Sequence, residues 1–298
     1  DVPAGATPDR RARSRARVAL PVTLTVSLHA DSPVARAVLE VTNPAWDHRL
    51  RIRVPTEIEG TAAVAGAAFG PVRREAVTVD PSRFPMETPV PTAPFHRHVS
   101  VARGPRGLTL FGLGTPEYEL TPDGTIAVTL LRCVGQLSRG DLPTRRGHAG
   151  WPTPTPAAQC IGEHRYHFAL LAHGAGALAD YRPIMEAWED TFVAPRGFFL
   201  RDAQKLEAPA IGVTLEGRGL VFSCCKPAQV GSGNQTVLRC YNALDVPVHG
   251  GWRFAEGVKT AHRTRLDERD ATPMVLEERG RALRFTAEPR EIVTILIT

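Results

Sequence analysis

Leu137-Ser138-Arg139-Gly140-Asp141-Leu142-Pro143-Thr144-Arg145-Arg146-Gly147-His148-Ala149-Gly150-Trp151-Pro152, running on to Gln159-Cys160, stands between two apolar runs, Thr125 to Val134 and Glu163 to His173. The runs read as strands. The residues between them follow neither a helical nor a strand period, and a connection of that length inside a compact domain is functional or disordered. The Trp, the Cys and the strong flanking strands argue against disorder. A β scaffold that exposes one long, built loop is the architecture this stretch predicts.

Outward from the loop the same reading extends in both directions. Val18, Leu20, Val22, Leu24, Val26 and Leu28 alternate with polar or small residues, the period of a strand with one apolar face. Pro21 places that strand at a sheet edge. Val34 to Thr42 and His48 to Thr56 follow, the second with Leu50, Ile52 and Val54 on one face and Arg49, Arg51 and Arg53 on the other. Residues 57–92 predict only a short strand at Val77 to Val79 and an extended, proline-rich arm. Phe95 to Val101, Gly107 to Phe111, Glu117 to Leu120 and Ile126 to Val134 are further strands, the last apolar on both faces and therefore central. Tyr181, Ile184, Met185, Trp188 and Phe192 have helical spacing, with Asp180 as cap, and predict a short helix closing a first domain. Pro195-Arg196-Gly197 reads as a linker. Seven more short strands then run to Thr298, the pattern of a β-sandwich.

Composition sets bounds. The chain has 298 residues, 43% of them hydrophobic and 22% charged, enough for two β cores. It has no apolar run long enough for a membrane span. It begins at Asp1 without a signal-like segment and reads as an excised or processed fragment. The five cysteines (133, 160, 224, 225, 240) form no CxxC pair and read as reduced thiols of a cytoplasmic protein. The net charge of +5 owes much to Arg10, Arg11, Arg13, Arg15 and Arg17. These lack the interleaved aromatics that stack on bases, so they read as a solvated strand extension and nucleic acid is not an expected partner.

Three groups could carry chemistry. Glu117 and Glu119 share a strand face, but nothing nearby separates their pKa values as paired catalytic carboxylates require. His96 and His98 have a spacing that can bind metal, without further ligands at a telling distance. Arg139, Asp141, Arg145, His148 and Gln159 supply donors, a carboxylate acceptor and imidazole beside the flat face of Trp151, the groups that recognise sugar hydroxyls. A pairing of Arg139 with Asp141 that merely holds the loop is the alternative.

Thr115-Pro-Glu-Tyr-Glu119, Thr129-Leu-Leu-Arg132, the loop itself, Ala158-Gln-Cys160 and Gly162-Glu-His164, with Asn43-Pro-Ala-Trp-Asp-His-Arg-Leu-Arg-Ile-Arg-Val-Pro-Thr56, are similar to the C-terminal β region of bacterial α-mannosidases of glycoside hydrolase family 38. The resemblance implies a mainly β fold: a galactose-mutarotase-like β-supersandwich, incomplete at its start, over residues 1–194 with its closing helix, and a smaller β-sandwich over 195–298. It implies a retaining α-mannosidase whose zinc and nucleophile sit in an N-terminal α/β catalytic domain absent from this chain. No catalytic residue, metal or cofactor is then expected here. The expected partners are that domain and mannosides, with self-association left open, and the fragment alone is expected to be inactive. The alternatives are a free-standing carbohydrate-binding module and a mutarotase-like epimerase using His164 with Glu163 or Glu117.

Overall fold

The structure, a computed structural model, describes residues 2–5, 12–59, 62–194, 212–230 and 234–298. The expected linker Pro195-Arg196-Gly197, together with Arg10 and Arg11, lies outside the described residues. The chain is mainly β and divides into two units, one of residues 1–67 and 72–175, the other of 68–71 and 176–298.

In the first unit a seven-stranded antiparallel sheet runs in the order Val22–Ser27, Val34–Asn43, Gly162–His173, Arg106–Gly112, His98–Arg103, Ala63–Ala67, Gly70–Arg74. A four-stranded sheet runs Arg49–Val54, Ile126–Arg132, Glu117–Leu120, Thr92–Pro94. Val99, Val101 and Leu110 from the first meet Tyr118, Ile126 and Val128 from the second in one core. Val22–Ser27 is an edge strand, as Pro21 requires. The N-terminal arginines do not extend it: Arg17–Val18 pairs instead with Val2–Pro3, and Arg13 donates to the carbonyl of Asp47.

The expected strand at Val77 to Val79 does not form. The chain makes a hairpin, Ala63–Ala67 with Gly70–Arg74, earlier in the segment. Its small residues carry almost no apolar alternation, so the pattern hid it. Phe69 and Gly70 turn the hairpin at positive φ, and the tip at 68–71 groups with the second unit.

The arginine row resolves into an ion-pair ladder. Arg49 Nη2 donates to Glu117 Oε1 at 2.7 Å and to Thr129 Oγ1 at 2.6 Å, and Arg51 donates to Glu119. Strand Ile126–Arg132 lies between the partners, so the guanidiniums cross it. They can do so because Ala127 and Thr129 are small. Glu117 and Glu119 are thereby spent on structure.

His96 and His98 do not share a strand face. Arg97 between them sits at φ 72° and breaks the extension, so the strand begins only at His98. His98 is fully buried, with Nδ1 3.1 Å from Ser100 Oγ. Ser100 Oγ is 2.6 Å from Thr109 Oγ1, which is 2.8 Å from His173 Nε2.

The second unit stacks a four-stranded sheet (Val213–Glu216, Val248–Phe254, Ala282–Ala287, Leu276–Glu277) on a five-stranded one (Leu220–Pro227, Thr236–Asn242, Ile292–Ile297, Ala261–Thr264, Thr272–Pro273). Trp252, Leu238, Leu283 and Ile295 fill the core between them. The helical segment belongs here, not to the first unit as expected. It forms Gly176–Asp180 and Arg182–Phe192, and Tyr181 and Met185 pack with Val221, Tyr241 and Ala243. Tyr181 at φ 65° separates the two helices and stands at the N-cap. Asp180 is therefore not the cap; its carboxylate accepts from Gly219 N at 2.7 Å. All five cysteines are free thiols. No helix among the described residues is long and apolar enough to cross a membrane.

Burial, with smaller contributions from His96, His173 and Arg97, pushes the His98 imidazole down from 6.5 to about 3. The unfolded chain therefore binds a proton that the folded one refuses between those values. His98 should cost no stability above pH 6.5 and destabilise the fold progressively below it, with a slope approaching about 1.4 kcal/mol per pH unit. Denaturant unfolding from pH 8 to 4 checks this: His98→Gln should flatten the acid limb relative to the parent chain, and an unchanged limb would count against it.

Candidate functional site

The loop after strand Ile126–Arg132 is built in tiers. At its foot Leu137 N donates to Thr153 O at 2.9 Å and Thr155 N to Gly135 O at 3.0 Å, with a bridge between Gln136 and Pro154. Above this, the buried Ser138 hydroxyl accepts from Ala149 N and Gly150 N, each at 3.2 Å. At the tip Asp141–Leu142 pairs with Arg145–Arg146, and Gly147 N closes the turn on Gly140 O at 3.0 Å. A second segment braces the tip: Thr88 N donates to Thr144 O at 2.8 Å, and Arg145 Nη1 lies 3.5 Å from Glu87 Oε2. The backbone hydrogen-bonding groups of a loop with this many partners are paired much as they are in regular structure.

Three of the five expected residues, Arg139, Asp141 and His148, come together at the tip, whereas Arg145 pairs with Leu142 and so faces the other way from Asp141. Arg139 donates Nε to Asp141 Oδ1 at 2.8 Å and Nη2 to Asp141 Oδ2 at 2.6 Å, a bidentate fork. The fork holds the loop shape, and the Asp141 side chain remains 56% exposed. His148 lies against Gly140: a Cβ there would stand 2.9 Å from the imidazole. Gly140 thus serves close approach of a ring, not a positive φ. Arg145 is held toward Glu87, with its Nε buried and unpartnered. Trp151 is 81% exposed.

Gln159 is elsewhere. It sits fully buried at the foot, where its Oε1 accepts from Asp47 N and its Nε2 donates to Asp47 Oδ1, both at 2.8 Å. Asn43 completes the joint, donating Nδ2 to Gln159 O at 3.1 Å and Cys160 O at 2.9 Å. Asp47, Ser138 and Glu87 carry the loop without having been singled out by spacing, because their partners are distant in sequence.

The epimerase constellation does not assemble. His164 and Glu163 are successive residues of one strand and point to opposite faces, and His164 Nε2 lies 2.8 Å from Cys160 O. Glu117 is held by Arg49 and Thr129. Among the described residues no three His, Cys, Asp or Glu side chains stand together to hold a metal.

Gln159→Ala would leave the Asp47 amide and carboxylate without partners at a buried joint. It should lower the unfolding free energy by about 1–3 kcal/mol, measured by denaturant titration. A loss of only a few tenths would show that the joint is not where the loop is held.

Comparison with known proteins follows these features. Residues 219–295 match the model for the glycosyl hydrolases family 38 C-terminal beta sandwich domain. A protein of Halalkalibacterium halodurans named "Putative mannosylglycerate hydrolase" is 29% identical over 293 residues, covering 97% of this chain and 30% of its own length. Among solved structures, an alpha-mannosidase from Enterococcus faecalis superposes with a TM-score of 0.74 at 24% identity, covering 96% of this chain and 30% of that one. A glycosyl hydrolase family 38 protein from Enterococcus faecalis gives 0.75 at 23% identity, covering 100% and 34%. The chain spans about a third of the length of these proteins. The chain is similar over nearly its whole length to the β region of these proteins, and its residues 219–295 resemble the glycosyl hydrolases family 38 C-terminal beta sandwich domain.

Proposed function

We propose that this chain is the C-terminal β part of a retaining α-mannosidase, and that it lends the tip of the 137–152 loop to the sugar side of a cleft in a catalytic domain outside these residues. The observation that carries this reading is the tip itself: an Arg139–Asp141 fork, His148 and an exposed Trp151 on a loop hydrogen-bonded along its length. A half-exposed carboxylate accepts sugar hydroxyls, and an indole face covers the apolar side of a pyranose ring. A loop already ordered spends little entropy on binding.

The chemistry of bond cleavage belongs in this reading to the absent domain, which would hold zinc and the nucleophile. Two carboxylates must flank the glycosidic bond, and Glu117 and Glu119 are committed to arginines on a sheet face. The chain's part is to bind and orient. The name of the Halalkalibacterium halodurans relative favours a mannoside with an acidic aglycone, for which the exposed Arg146 offers positive charge beside the tip. Action inside the cytoplasm is consistent with five free thiols. A free-standing carbohydrate-binding module is the remaining alternative, and it would retain mannoside affinity in the isolated chain.

The test is kinetic and is made in the full-length enzyme. Arg139→Ala and Asp141→Asn should each reduce kcat/KM for an α-mannoside about tenfold or more, roughly 1.4 kcal/mol of transition-state binding, with little change in melting temperature. A lowered melting temperature with unchanged kcat/KM would assign the fork to loop structure alone.

A further inference from the structure

Two thiols stand together at the foot of the long loop. Cys133 directly follows the strand that leads into it, and Cys160 ends the short 3₁₀ turn Pro156–Gln159 that leads out. Asn43 stands between them: its Nδ2 lies 3.6 Å from Cys133 Sγ and 2.9 Å from Cys160 O. Ala158 O joins the two stems a second time, accepting from Val134 N at 3.3 Å and from Cys160 Sγ at 3.5 Å. Electrostatics report the same neighbourhood. Burial, and after it Cys160, pushes the Cys133 thiol up, and burial followed by Cys160 and Cys133 pushes up the Tyr166 phenol. The other three cysteines lie in the second unit.

The two positions differ as the halves of a redox pair do. Cys160 is half-buried and Cys133 is buried, so a small solute in water reaches the first before the second. Cys160 also stands at φ 50° and ψ 45°, the left-handed region in which a helix end favours glycine or asparagine. A side chain held in so sparsely populated a conformation is the kind of outlier that gathers at functional positions. Buried cysteines commonly act as small hydrophobes, but Cys133 has an amide donor turned to its sulfur. Among the described residues no third metal-ligating side chain joins the two thiols, which leaves oxidation as their shared chemistry.

We infer that Cys133 and Cys160 are an oxidation site, joined by hydrogen peroxide into a reversible disulfide that ties the two ends of the loop. Cys160 reacts first, as thiolate. Its sulfur attacks a peroxide oxygen, the O–O bond breaks, and the departing hydroxide takes up the thiol's proton as water, leaving a sulfenic acid. The Cys133 sulfur then attacks the Cys160 sulfur, the S–O bond breaks, and hydroxide leaves with the Cys133 proton as a second water. Two thiols and one peroxide thus give one disulfide and two waters, the sulfurs losing the two electrons that the peroxide gains. Thiol exchange with a reductant reverses the bond, as a sensing disulfide in a reducing compartment requires. The inference is independent of whether the loop meets a sugar.

The experiment treats the folded full-length protein with hydrogen peroxide and stops the reaction with catalase. Remaining thiols are blocked with a maleimide under denaturing conditions, and peptides are mapped by mass spectrometry without reduction. The expected product links Cys133 to Cys160 and exceeds every other cysteine link by at least ~10-fold, because the fold holds these two sulfurs together. Dithiothreitol should restore both thiols. In Cys133→Ser, Cys160 should still oxidise but stop as a sulfenic acid that dimedone captures. Cys133→Ala repeats that test in case serine unsettles the buried position. Passage of Cys160 to a sulfinic acid in the parent protein, with Cys133 left as a free thiol, overturns the inference. A Cys160 that stays reduced, or that pairs with any other cysteine, overturns it equally.

Discussion

One buried joint governs where the long loop stands. Asn43 ends a strand of the wide sheet, and its amide donates to two consecutive carbonyls, those of Gln159 and Cys160. Gln159 in turn exchanges two hydrogen bonds with Asp47. Asn43 and Gln159 are removed from water, so each must find its partners inside the protein, and the penalty for failure exceeds the net gain of an ordinary hydrogen bond. The joint therefore acts as a geometric constraint: the end of the loop can sit in one place relative to strand Val34–Asn43. Ser138 and the Glu87 arm carry that constraint outward to the tip.

Charge is handled in the same economical way. The chain is basic by composition, but on the narrow sheet its arginines are matched across strand Ile126–Arg132, Arg49 to Glu117 and Arg51 to Glu119. Pairs of this half-exposed kind add little stability singly. Their effect is to give the sheet a hydrated outer face. At the loop tip Arg145 is likewise matched, to Glu87, and Arg146 is exposed.

The sequence made local patterns legible and distant partnerships illegible. Alternation located Val22–Ser27 and its edge position, and the strand at Arg49–Val54 with its two faces, because period two is a property of neighbouring residues. Helical spacing located Ile184 and Met185, both buried, though the cap was misassigned because Asp180 finds a partner at Gly219. The hairpin at 63–74 escaped because small residues leave no apolar rhythm. Of the five residues expected at the site, Arg139, Asp141 and His148 are near in sequence and converge, while Arg145 turns to Glu87, 58 residues earlier. Gln159 could not be placed from sequence, since its role is fixed by Asp47, 112 residues earlier. His96 and His98 misled through spacing alone, because the positive φ of Arg97 carries no signature in a non-glycine residue.

The central claim is that the loop is prebuilt before any sugar or neighbouring domain arrives. Amide hydrogen exchange on the unliganded 298-residue chain tests it most directly, at the donors Leu137, Gly147, Ala149, Gly150 and Thr155. The account predicts that these amides exchange on the order of 100-fold or more slowly than an unstructured peptide, and that Asp47→Ala releases them together. Exchange within a few-fold of the unstructured rate in the parent chain would contradict it, because the fork, the imidazole and the indole would then have no fixed arrangement to offer a ligand.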